Sequence, residues 1–191
     1  TELVANKIFT TVIASLRSFE SLHALEKSSQ GLAKILEGAT NLYQLHSLKE
    51  FASGILKQIG AILNLGEYGM LCAQSKNDQQ SFDVLAATGS FTPLLEGHPL
   101  PEDSRLLIAL NTALKSKCSQ SDYPNEVLYI AGRNSYDFVV HFSPPWPLET
   151  VDRNLLDIFC ERISAAMDNL YLYQQLRRSQ EATVMALADL G

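Results

Sequence analysis

Residues 68–88 read YGMLCAQSKNDQQSFDVLAAT: two short apolar runs, 68–73 and 82–88, separated by the polar segment Ser75-Lys76-Asn77-Asp78-Gln79-Gln80. Short apolar runs on either side of a polar turn predict a β-hairpin. Upstream the period changes. No proline occurs before Pro93, and through residues 1–64 apolar side chains recur three and four apart, the spacing that lines one side of an α-helix. Phe9, Val12, Leu16 and Phe19 form a seam that Leu22, Leu25, Leu32, Leu36, Ala39 and Tyr43 continue with a drift of one residue. Ser28, Ser29 and Gly31 predict a break or bend there. Ser47-Leu48-Lys49-Glu50 is a capping box, in which hydroxyl and carboxylate each satisfy an amide donor left open at a helix start. The second helix that it opens carries Phe51, Ile55, Ile59 and Ile62 on one stripe and is expected to stop at 64–66, where Asn64 and Gly66 accept a left-handed cap.

Downstream, Pro93, Gly97, Pro99 and Pro101 exclude a regular ladder and predict a long, lid-like loop over 89–104. Asp103 opens a helix to about Lys117, with Leu106, Leu107, Leu110 and Leu114 on its buried stripe. Two more strands, 127–131 and 136–142, are bridged by Gly132-Arg133-Asn134-Ser135, a hairpin turn. Pro144, Pro145 and Pro147 end the sheet. A last helix is expected near Thr150, with Asp152 in the first turn, where the helix dipole favours an acid. With Leu156, Ile163, Leu170, Arg177 and Val184 as a positions, the d positions are Phe159, Ala166, Tyr173, Gln180 and Leu187, and all but Arg177 and Gln180 are apolar. Such a repeat predicts a coiled-coil seam. Residues beyond Leu170 outrun a small sheet at ~1.5 Å per residue, which favours pairing with a second copy over an intrachain bundle.

The bulk composition narrows the partners. The chain has 191 residues, 46% hydrophobic, with formal charge -6, so a packed core is affordable, and no stretch concentrates Lys or Arg as a phosphate-binding face would, so neither nucleic acid nor an anionic membrane is the expected partner. The apolar stretches fall far short of the ~20 residues that span a bilayer. Neither a secretory signal nor a start methionine is evident, which predicts a cytoplasmic piece of a longer chain. Cys72, Cys118 and Cys160 are odd in number and widely spaced, fitting neither a disulfide framework nor a zinc cluster.

The order helix, hairpin, proline loop, helix, hairpin, long helix resembles a GAF domain, and Ala165-Ala166-Met167-Asp168-Asn169-Leu170-Tyr171 resembles that family's closing helix. More specifically, Lys7-Ile8-Phe9-Thr10-Thr11-Val12-Ile13-Ala14-Ser15-Leu16-Arg17-Ser18 is similar to the opening of the uncharacterised GAF-like domain found between a receiver and an HD-GYP phosphodiesterase in bacterial response regulators. Glu181-Ala182-Thr183-Val184-Met185-Ala186-Leu187-Ala188-Asp189-Leu190 is similar to the first helix leading into HD-GYP. The resemblance implies an α+β fold: a GAF-like antiparallel sheet flanked by helices, with long N- and C-terminal signalling helices. It divides the chain into a linker helix or helices (1–46), the GAF-like domain (47–170) and a signalling helix (171–191). It implies a homodimer in a two-component system, with a receiver upstream and an HD-GYP domain for cyclic di-GMP hydrolysis downstream. The chain itself is expected not to be an enzyme: no His-Asp dipeptide and no Gly-Tyr-Pro occurs, and residues 1–64 contain no aspartate to accept a phosphoryl group.

Few residues invite chemistry. His23, His46, His98 and His141 are not spaced with one another, a Cys or a carboxylate as metal pairs, so no metal and no cofactor is expected. Cys72 and Cys160 sit in apolar patterns; Cys118, after Lys115 and Lys117, alone has the basic neighbours that activate a thiol. No nucleophile elbow and no Gly-rich phosphate loop occurs. If an unknown small molecule binds, the resemblance places it on one sheet face beneath residues 89–117. Tyr68, Met70 and Cys72 alternate along the first strand and Tyr129 lies on the third; with His98 in the loop and His141 in the last strand they are the pocket candidates. The dimer candidates are Phe9, Val12, Leu16 and Phe19 in the first helix and Leu156, Phe159, Ile163, Ala166, Leu170, Tyr173, Val184 and Leu187 in the last. A sensory relay module is the leading expectation, a ligand-free spacer the second and an independent small enzyme the third.

Overall fold

The computed structural model describes residues 2–42, 45, 47–66, 68–75, 82–96, 105–132 and 137–188. Helix α1 (Glu2–Leu42) passes through Ser28, Ser29 and Gly31 unbroken, against the expected bend. The cause is tertiary. Gly31 faces the long helix that closes the chain, and a Cβ there would stand 2.4 Å from Leu155 Cδ1, so the glycine permits close helix approach. Lys27 Nζ lies 2.9 Å from Glu149 Oε2 and 3.0 Å from Asp152 Oδ1, beside the start of that helix (Thr150–Ala188). Contacts that advance along both helices in the same direction make the pair parallel.

Helix α2 (Leu48–Leu63) begins and ends as its caps dictate. Ser47 Oγ accepts from the Glu50 amide at 3.1 Å, and Asn64 takes the left-handed conformation at φ 53°. It folds back antiparallel along α1. Lys34 Nζ donates to Ala61 O and to Asn64 Oδ1, while the Gly38 and Gly54 surfaces receive the Gln58 and Leu42 side chains.

The sheet comprises β1 (Met70–Ser75), β2 (Phe82–Ala87), β3 (Gln120–Asp122), β4 (Asn125–Ile130) and β5 (Phe138–Phe142), in the order β2-β1-β5-β4-β3, antiparallel throughout. Both expected hairpin pairings form; their turns, 76–81 and 133–136, lie outside the described residues. Strand β3 has no counterpart in the apolar pattern of the sequence. Its three residues are polar, and the connection is the Tyr123-Pro124 turn, so no apolar run announces it. Gly89–Glu96 is a 3-10 segment containing Pro93, where a loop was expected. Helix α3 (Arg105–Ser116) follows and buries Leu110 and Ala113.

Two cores result, one on each sheet face. Met70, Cys72, Leu128, Ile130, Phe138, Val140 and Phe142 face α1, α2 and α4 (Thr150–Ala188), with Ile35, Phe51, Ile55, Ile59, Leu156, Phe159 and Ile163 among the covering side chains. Leu71, Ala73, Val127 and Val139 face α3 and the 3-10 segment. Because Ile35, Ala39 and Leu42 are buried, α1 shares the main core from about Lys27 onward, although 1–46 reads as a linker.

Candidate functional site

Alternation along β1 divides the expected pocket residues. Met70 and Cys72 point into the main core, whereas Tyr129 and His141 face α3; Tyr68 is exposed ahead of β1, and His98 lies outside the described residues. Leu71 and Ala73 of β1 share a face with His141, one position out of phase with Met70 and Cys72.

His141 is the most unusual side chain on the α3 face. It is 3% exposed, Phe91 meets its ring edge-on at 5.4 Å between centroids, and Nε2 is 3.4 Å from Asn125 Oδ1. Its Nδ1 has no hydrogen-bond partner among the described residues. Burial penalises the imidazolium and pulls its pKa down to about 4, so the ring is neutral at physiological pH. Burial, with the Asp137 carboxylate alongside, pushes the Tyr129 phenol up to about 12. Around these two, Leu71, Ala73, Leu110, Ala113, Val127 and Val139 are buried together. Among the described residues, the side chains buried together on this face are aliphatic, with Phe91 against the His141 ring.

The thiols follow the same logic. Burial pushes Cys72 and Cys160 up to about 12, which disfavours the reactive thiolate, while Cys118 is exposed. Among the described residues no cluster of three or more His, Cys, Asp or Glu side chains could hold a metal ion, and no helix is long and apolar enough to cross a membrane.

The helix seams are the second candidate region, and here the structure corrects the sequence. Leu156, Phe159, Ile163, Ala166 and Leu170 are buried in the chain's own core, because the sheet and α2 cover this length of α4. They are not available to a second copy. Tyr173 and Val184 are exposed, as are Leu172, Leu176 and Met185; the Leu187 side chain lies outside the described residues. In α1, Phe9, Val12, Leu16 and Phe19 are all exposed, Phe9 at 66%. With Lys27 beside Asp152 and Gly31 beside Leu155, residues before Lys27 have no α4 alongside, and α4 beyond about 170 outruns the end of α1. Two apolar arms therefore project from opposite ends of one parallel helix pair. Arg177, which interrupts the apolar repeat, pairs with Glu181 at 2.9 Å on the C-terminal arm's own surface.

A family model described as a domain of unknown function (DUF3369) matches residues 12–176. The chain is 26% identical over 196 residues to 3'3'-cGAMP-specific phosphodiesterase 2 of Vibrio cholerae serotype O1, an alignment covering 99% of this chain and 37% of that protein. The chain thus spans well under half of the relative's length. Among solved structures it is similar to the GAF domain of a phosphoenolpyruvate-protein phosphotransferase from Coxiella burnetii, with TM-score 0.60, 6% identity and coverage of 78% of this chain and 98% of that one. The GAF domain of an Acinetobacter phosphoenolpyruvate-protein phosphotransferase gives TM-score 0.57, 10% identity and coverage of 74% and 94%. The fold is accordingly GAF-like α+β, an antiparallel sheet flanked by helices, as the order of elements implied.

Proposed function

The chain belongs to the DUF3369 domain family, and from that premise we propose that it is a relay and dimerisation module within a longer signalling protein. Its α1 arm receives a signal from an upstream receiver, and its α4 arm delivers it to a downstream phosphodiesterase domain of HD-GYP type. The observation that carries this reading is the pair of exposed apolar arms at opposite ends of a parallel helix pair whose middle is locked into one core. A shift or rotation of one arm cannot be absorbed by a close-packed middle and is passed to the other. The curated relative acts on 3'3'-cGAMP; the output proposed here is a phosphodiesterase for a cyclic dinucleotide, a wider class than cyclic di-GMP. The chain by itself contributes no catalysis.

Phasing of the α4 arm tests the relay. Inserting one residue between Ser179 and Gln180 in the full-length protein turns everything downstream by ~100°, whereas seven residues restore the phase of a heptad. Phosphodiesterase turnover is expected to change with the first insertion and recover with the second. Equal turnover in all three proteins contradicts a relay through this helix. A spacer that binds no small molecule is the second reading, favoured by the apolar filling of the α3 face.

A further inference from the structure

A separate cavity lies on the opposite side of the sheet, where α4 leaves the domain. It measures about 80 Å³ and is lined by Leu48, Gln74, Phe138, Met167, Tyr171 and Arg178 among others. Leu48, Phe138 and Met167 make its walls apolar. Gln74, Tyr171, Gln174 and Arg178 bring polar groups to it, and two of these bear on a ligand. Gln74 follows Cys72 on the main-core face of β1, is only 8% exposed, and its Nε2 has no hydrogen-bond partner among the described residues. Arg178 stands on the C-terminal arm, one turn beyond Gln174 on the same cavity wall. Native folds seldom leave a buried amide donor unsatisfied.

We propose that this cavity is a binding site for a small monocarboxylate with a compact apolar body. One carboxylate oxygen accepts from Gln74 Nε2, the guanidinium of Arg178 supplies the countercharge, and Leu48, Phe138 and Met167 enclose the hydrocarbon end. At ~10–15 Å³ for each water that a cavity admits, the space suits a molecule of roughly five to eight heavy atoms. Charge selects an anion: a neutral amide of equal size offers one acceptor oxygen in place of two and no charge to balance the guanidinium. Because Gln74 is fixed in the sheet and Arg178 rides on the arm, an occupied site would tie the arm to the core. Binding itself does not depend on the relay reading, although that consequence does.

The test uses the 191-residue chain with isotopically labelled methionine methyl groups. Sodium propanoate, propanamide and sodium phosphate are titrated separately while the Met167 signal is followed. Propanoate is expected to move this signal saturably in the millimolar range, with propanamide at least tenfold weaker and phosphate without effect. Gln74→Leu and Arg178→Gln should each weaken the propanoate response tenfold or more while the other methionine signals stay in place. No saturable response to propanoate, equal affinity for propanamide, or an unchanged response in Gln74→Leu overturns the proposal. So does a response to phosphate alone. Should Gln74→Leu fail to fold, Arg178→Gln, at an exposed position, decides by itself. None of these outcomes depends on whether the chain dimerises or whether turnover follows the arm's phase.

Discussion

Along α4 a single heptad pattern meets two surroundings. From Leu156 to Leu170 its apolar positions are buried against α1, α2 and the sheet, while Tyr173 and Val184, in the same register, are exposed. Periodicity states which side of a helix is apolar; it does not state what covers that side. Cover is decided by length, since the sheet and α2 end and the helix does not. The first half therefore stabilises the domain, and the second is left for something outside it.

The largest expected effect contrasts these halves. Phe159→Ala removes a fully buried ring from the main core and should cost ~3–5 kcal/mol in denaturant unfolding. Val184→Ala, at 66% exposure, should stay within about 0.5 kcal/mol in the monomer. Comparable losses at both positions would mean that the arm is folded back on its own chain.

The second effect compares the two sheet faces. His141 is held neutral, with a pKa of about 4 against 6.5 when unfolded. Between these values the unfolded chain binds a proton that the folded chain does not. The stability owed to the neutral ring is present above pH 6.5 and is lost as pH falls toward 4, by up to about 3 kcal/mol. His141→Gln should flatten that part of the stability curve. A slope that survives the substitution would assign it to groups elsewhere.

A smaller effect sharpens the boundary between core and arm. Gly31→Ala places a Cβ against Leu155 and should destabilise by ~1 kcal/mol, the overpacking exceeding the gain in helix propensity because Leu155 can only partly swing aside. In a Leu155→Ala background the same change should become neutral or stabilising. An additive pair would show that the helices do not meet there.

How far the sequence could be read follows from the same distinction between local and distant causes. Ser47 and Asn64 bounded α2 because a cap is satisfied within a few residues of itself. The hairpins β1-β2 and β4-β5 were legible for a like reason. The β1-β5 pairing that joins them leaves no local mark, and β3 is too short and polar to show a period. Gly31 read as a helix breaker because its partner, Leu155, is far away in sequence. On the site, the alternation of β1 was legible but its phase relative to His141 was not, since phase depends on the β1-β5 register. Gln74 gave no signal in the sequence, because a glutamine in a strand is unusual only once its burial and lack of a partner are known.

The most direct measurement of the central claim is molar mass in solution by sedimentation equilibrium, from micromolar to several hundred micromolar. The chain of 21.1 kDa is expected to approach twice that mass as concentration rises. A variant carrying Leu16→Glu and Leu176→Glu, both at exposed positions of the arms, should remain at 21.1 kDa with unchanged helicity. A wild-type chain that stays monomeric over the whole range, or a variant that dimerises as well as the wild type, would contradict association through the arms.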